Sequence, residues 1–66
     1  MILIYSKKSN NKMVELWTDF GSRYYVKVRE GRDSMTEYVG QEFHIAEMMF
    51  DLSLAKLDYE AKKRGG

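Results

Sequence analysis

The chain has 66 residues, 11 basic and 10 acidic side chains, a formal net charge of +1 and no cysteine. This length allows one domain of marginal stability, over residues 1–66, and the lack of cysteine excludes disulfides and cysteine-based metal sites. A near-neutral chain also lacks the strongly basic balance of proteins that hold nucleic acid by phosphate neutralisation alone, so the net charge selects no class of partner. With disulfides and cysteine-based metal sites excluded, association is the remaining aid to the stability of so short a chain.

The chain has no apolar run of the length that a membrane span requires. The apolar start Met1 to Tyr5 is too short for a secretion signal and has no basic residues before it. We therefore expect a cytoplasmic protein without membrane contact.

The first half of the chain alternates in the way that strands do. Residues 1–6 form a short apolar run, residues 7–12 are polar and predict a hairpin loop, and residues 13–19 and 23–30 alternate between apolar and polar side chains. These patterns predict three antiparallel strands, with turns at residues 20–22 and 31–33.

Side-chain pairing across the second and third strands favours one register. A loop of residues 20–22 pairs Leu16 with Val26 on the inner face and Trp17 with Tyr25 on the outer face. It also gives two opposite-charge pairs, Asp19 with Arg23 and Glu15 with Lys27. A two-residue turn at positions 21 and 22 is the alternative, but it places Leu16 opposite Lys27.

Residues 35–39 predict either a fourth short strand or a lead-in to a helix over residues 41–64. Gly40 can serve as the helix N-cap, and Glu42 suits the first turn. The predicted fold is therefore α+β, with a small antiparallel sheet of three or four strands followed by one long C-terminal helix packed on one face.

The predicted helix carries two apolar stripes on nearly opposite sides. The first consists of Phe43, Ala46, Phe50, Leu57 and Ala61, and the second of Ile45, Met48, Leu52, Ala55 and Tyr59. One small sheet cannot cover both, so we expect the second stripe to mediate self-association as a homodimer or to enter a partner's groove. The alternative is a kink or break near residues 51–53, which would turn each half of the helix toward the same core.

Polar helix residues give weaker signals. Glu47, Asp51 and Asp58 form an acidic ridge between the stripes, which is either a solvated face or a receptor for a partner's Lys and Arg side chains. His44 could act as a base beside Glu47 or Asp51, but the chain has no accompanying nucleophile, relay or phosphate loop. We therefore predict a non-enzymatic protein without catalytic residues, metal ligands or cofactors.

The outer face of the predicted sheet combines aromatic and cationic side chains. Three readings are open: a scaffolding role, a protein interface, or a platform on which single-stranded nucleic acid stacks. The face is predicted to hold Leu3, Tyr5, Trp17, Arg23, Tyr25, Lys27 and Arg29.

These features favour a small inhibitor or adaptor that acts by occupying a surface of a larger protein. Small proteins of this kind are frequent in phages and mobile elements, where inhibition of a host-defence nuclease, as by anti-CRISPR proteins, is a common task. The location would then be the host cytoplasm. The alternative is a small nucleic-acid-binding regulator, which would use Lys7, Lys8, Lys12, Arg23, Tyr25, Lys27 and Arg29.

Overall fold

The computed structural model describes residues 1–65 of the chain, and Gly66 lies outside the described residues. Four strands form one antiparallel sheet in the order β1-β2-β3-β4, and a helix follows. The elements are β1 (Ile2–Ser9), β2 (Lys12–Asp19), β3 (Arg23–Glu30), β4 (Asp33–Gly40) and α1 (Phe43–Gly65). The α+β prediction is confirmed, and the fourth strand is present.

The core lies between the two central strands and the helix. Val14, Leu16 and Val26 are completely buried on one face of the sheet, and they pack against Ala46 and Phe50 of α1. The predicted register is confirmed, because Leu16 pairs with Val26 and Trp17 with Tyr25. A one-residue slip would turn the apolar set of one strand to the open face, so the helix that covers the inner face fixes this register.

The first hairpin is tighter than the sequence predicts. Lys7, Lys8 and Ser9 belong to β1 and Lys12 begins β2, so the predicted loop over residues 7–12 is wrong. Asn10 has a φ of 60° and turns the chain. Asparagine tolerates this left-handed conformation, which allows a two-residue connection between long strands.

A bulge in β1 reverses the predicted orientation of Tyr5. Leu3 pairs with Trp17 but Tyr5 pairs with Leu16, so one extra residue, Ile4, lies between them. Tyr5 therefore lies on the helix side of the sheet, with its ring centroid 5.9 Å from that of Phe50. The assignment of Tyr5 to the outer face is wrong, because simple alternation does not hold across a bulge.

Gly40 ends β4 and is not the helix N-cap. It pairs with Tyr24, and a Cβ atom built on it would overlap the hydroxyl end of the Tyr38 side chain, so the present position of that ring requires glycine. The helix begins at Phe43, and the N–H of Ala46 donates to the carbonyl oxygen of Glu42 at 3.0 Å. Glu42 thus occupies the cap position that was predicted for Gly40.

The helix continues through the position where a break was the alternative. Ser53 is 8% exposed and points toward the sheet without interrupting α1. The first stripe covers the sheet, and near its start Phe43 packs edge-on against Tyr24 with ring centroids 5.4 Å apart. A straight helix on a sheet buries only one side of itself, so the second stripe is left outside.

Candidate binding surfaces

An apolar row crosses all four strands on the sheet face opposite the helix. Leu3 pairs with Trp17, and Trp17 pairs with Tyr25. Tyr25 in turn pairs with Val39 on β4. The two ends of the row are the most open, with Leu3 42% and Val39 50% exposed, whereas the two aromatic residues are half-buried. Directly paired residues on one face have neighbouring Cβ atoms, so these four residues form one row of apolar side chains across the sheet, here called the outer row.

Glu15 lies beside the outer row and is only 5% exposed, although the face is open. Its Oε1 atom accepts a hydrogen bond from the indole Nε1 of Trp17 at 3.1 Å, and Nη2 of Arg29 lies 3.6 Å from the same oxygen. A carboxylate removed from water needs such partners, and these partners also cover it. The hydrogen bond fixes the orientation of the Trp17 ring.

Asp19 holds the second aromatic ring of the outer row. Its carboxylate accepts hydrogen bonds from the Tyr25 hydroxyl at 3.2 Å, the Ser22 hydroxyl at 3.0 Å and the backbone N–H of Arg23 at 2.7 Å. Desolvation raises the pKa of this carboxyl, but the hydrogen bonds from Arg23, Ser22 and Tyr25 outweigh it, and the pKa lies below the ordinary value of 3.8. The hydrogen bond between these two paired residues is therefore donated by the backbone of Arg23.

The aromatic and cationic residues of this face are segregated. Lys27 lies in the row next to the outer row, where it pairs with Glu15, and Arg29 lies in the row after that, where it pairs with Ser34. The cations proposed for nucleic acid are divided between faces, because Lys7 and Lys12 lie on the helix side and Lys12 pairs with Glu30 at 3.2 Å. An apolar centre with a charged margin is the layout of a protein interface.

Phe20 is an exposed aromatic residue that sequence reasoning treated only as part of a turn. It lies at the β2–β3 turn with a φ of 35° and is 84% exposed. A bulky residue in this backbone region is strained, and strain of this kind is concentrated at functional positions. The one available sequence signal was an aromatic residue at a turn position where Gly, Asn or Asp is usual.

The second helix stripe is open to solvent along its length. Ile45 is 45%, Leu52 60%, Tyr59 66% and Met48 68% exposed, and Ala55 is also exposed. The stripe faces away from the sheet and the outer row faces away from the helix, so the two surfaces lie on opposite sides of the molecule.

Within residues 1–65 no helix has an apolar stretch of the length and purity that a bilayer span needs.

The acidic ridge is partly used within the molecule. Oε2 of Glu47 accepts a hydrogen bond from the Tyr5 hydroxyl at 3.3 Å, and Asp58 accepts one from the hydroxyl of Ser9. Both bonds attach β1 to the helix. Asp51 is exposed and borders a shallow pocket with Tyr5 and Lys7. A role of these acids in binding a partner stays a prediction.

His44 stands apart from the binding surfaces. Its side chain is 90% exposed, and its Nδ1 atom lies 4.0 Å from Oε1 of Glu47. This imidazole therefore lies on an open surface, beside one carboxylate.

Comparison with known proteins identifies no relative of this chain. The chain matches no protein family, no curated protein sequence and no solved structure. The outer row and the second stripe are therefore the features from which a function can be proposed.

Proposed function

We propose that this chain is a non-enzymatic binding protein that acts through protein–protein contacts, as an inhibitor or adaptor of a larger protein. One observation carries the proposal: the outer row, a strip of apolar side chains across an open sheet whose two aromatic rings are held by Glu15 and Asp19. Rings fixed before binding lose little conformational entropy in a complex. Trp and Tyr are also enriched among the residues that dominate interface energies.

The layout of charges supports a protein target over nucleic acid. Arg29 pairs with the carboxylate of Glu15, and Lys12 pairs with Glu30 on the other face. A phosphate backbone would have to displace these acids, and the net charge of +1 offers little long-range attraction. A phage-encoded inhibitor of a host-defence nuclease, of the anti-CRISPR kind, is the biological setting we propose for such a protein in the host cytoplasm.

Two variants on one strand test the role of the outer row. Val39→Lys places a charge at the end of the outer row, whereas Thr36→Lys adds the same charge on the same strand and the same face, one row away. Both positions are exposed, so both variants should fold. We expect the purified wild-type chain, immobilised and exposed to an extract of its source or host cell, to retain a defined protein that Thr36→Lys also retains and Val39→Lys loses.

The same capture also separates the two classes of target. Retention that is unchanged by Val39→Lys would contradict the role of the outer row. Retention that disappears after nuclease treatment, or falls steeply between low and physiological salt, would indicate the nucleic-acid-binding regulator instead.

A further inference from the structure

We infer that the second stripe of α1 is the seam of a parallel homodimer, whose orientation is set by charged residues on its two flanks. The inference rests on the proposed function, because it gives the helix the task of holding two outer rows in one particle. The stripe follows a heptad, with Ile45, Leu52 and Tyr59 at one repeating position and Met48 and Ala55 at the other. This spacing lets two helices interlock along a shared apolar line.

The two flanks of the stripe have opposite charge. At about 100° per residue, Asp51 and Asp58 follow one edge of the stripe and Lys56 and Lys63 follow the other. All four residues are exposed, although Asp58 also accepts the hydrogen bond from Ser9. A helix with one acidic and one basic flank is complementary to a second copy of itself in only one orientation.

That orientation is parallel. In a parallel pair the acidic flank of each helix faces the basic flank of the other, so Asp51 lies near the second copy's Lys56, and Asp58 near its Lys63. In an antiparallel pair the acidic flanks face each other and the basic flanks do likewise, which is repulsive. The charges therefore select the parallel dimer by favouring it and by opposing the alternative.

The sheets do not obstruct this arrangement. Phe50 and Leu57 attach α1 to its own sheet from the side opposite the second stripe. Two helices in contact along their stripes would therefore carry their sheets on the outside, and the outer rows would face away from each other at a separation of about 30 Å. A dimer of this form presents two identical recognition surfaces.

The helix that would form the seam is already folded in the single chain. An isolated helix of about three heptads would have to fold on association, which weakens short coiled coils. Here α1 is already formed over residues 43–65 by packing on the sheet. Burial of the four large side chains of the stripe can then contribute to association without that folding cost.

Charge exchange between the flanks tests the orientation. We expect the wild type to dimerise at micromolar concentration in sedimentation equilibrium, and we expect Asp51→Lys to weaken the dimer about 10-fold or more at low salt. A mixture of Asp51→Lys with Lys56→Glu should regain wild-type affinity, because each copy then faces an opposite charge. Glu60→Lys, at an exposed position that borders a pocket with Lys12 and Glu30 and lies outside the stripe and its two flanks, is the matched control and should change association little.

Engineered cysteines supply a second readout, since the natural chain has none. Met48→Cys should form a disulfide-linked dimer in a glutathione buffer, because equivalent positions meet only in a parallel pair and a disulfide needs Cα atoms within about 7 Å. An antiparallel pair would separate the two copies of position 48 by about 16 Å along the axis and would instead link Met48→Cys to Tyr59→Cys.

Three results would overturn the inference: a wild-type monomer at 100 μM, tighter association of Asp51→Lys alone, or cross-linking only in the mixture of positions 48 and 59. None of them would affect the capture experiment with Val39→Lys and Thr36→Lys. Conversely, a parallel dimer with no effect of Val39→Lys on capture would refute the proposed outer-row function and leave the dimer standing.

Discussion

The paired substitutions Leu52→Ala and Leu57→Ala separate association from folding on one helix. Leu52 lies on the second stripe and is 60% exposed, whereas Leu57 is half-buried and packs against the core. Complete burial of a leucine side chain contributes about 1.5–3 kcal/mol, so the exposed part of Leu52 can contribute about 1–2 kcal/mol when a partner covers it. Both copies lose this contribution in a dimer, which predicts a rise in Kd of roughly 30-fold to 1,000-fold for Leu52→Ala.

The effect on folding should be the reverse. Leu57→Ala opens space beneath the helix and should lower the free energy of unfolding by about 2–3 kcal/mol, a large share of the stability of so small a domain. Leu52→Ala should lower it by less than about 1 kcal/mol, because alanine also suits a helix.

The assay is urea unfolding followed by circular dichroism, at a concentration below the dimer Kd, together with sedimentation equilibrium of the folded variants. Leu57→Ala should retain wild-type association wherever it is folded. If Leu52→Ala destabilised the dilute protein as much as Leu57→Ala, Leu52 would belong to the molecule's own core and the reasoning would be refuted.

Substitutions at three further positions test the sheet. Gly40→Ala should lower the unfolding free energy by about 1–3 kcal/mol, because a Cβ atom would displace the Tyr38 ring; unchanged urea stability would show that the ring moves aside freely. Asp19→Asn should make the free energy of unfolding depend less steeply on pH in the acid range. The depressed pKa of Asp19 means that its stabilising effect is present above pH 3.8, its ordinary pKa, and is lost as the pH falls through the folded-state value. An identical loss of stability in the variant and the wild type between pH 5 and 2 would contradict this role. Glu15→Gln should keep the hydrogen bond from Trp17 and cost less than about 1 kcal/mol, whereas Glu15→Ala should cost about 1–3 kcal/mol; equal costs by urea unfolding would show that the indole bond contributes nothing.

The strongest sequence patterns predicted the centre of the fold. Alternation in β2 and β3, together with cross-strand pairs such as Trp17 with Tyr25, identified the register that the structure has. The apolar periodicity of α1 likewise predicted one helix with a covered and an open side. Both patterns depend on burial of one face, which leaves a strong trace in the sequence.

The edge strands were less predictable because they are weakly buried. Lys7, Lys8 and Ser9 have the composition of a loop, yet they pair with β2, since an edge strand can be polar on both faces. The bulge at Ile4 leaves no signal in the alternation and moved Tyr5 to the helix side. A second irregularity opposite Val26 and Lys27 similarly shifts β4.

The candidate site was predicted in composition but not in arrangement. Trp17 and Tyr25 were placed on the outer face, but their neighbours Leu3 and Val39 complete a row only through pairing with both edge strands. The burial of Glu15 on an open face was not predicted either, because it depends on the positions of Trp17 and Arg29. Such contacts between distant strands are tertiary and have no local sequence signature.

Oxidation of two adjacent methionines tests most directly whether the folded molecule leaves an apolar stripe for a second copy. Met48 is 68% exposed on the second stripe, while Met49 is half-buried against the core. In dilute protein treated with hydrogen peroxide, mass spectrometry should find Met48 oxidised much faster than Met49, and Met48 alone should become protected as the concentration rises through the dimer Kd. Equal, slow oxidation of both residues in dilute protein, or rapid oxidation of Met48 at every concentration, would contradict the account.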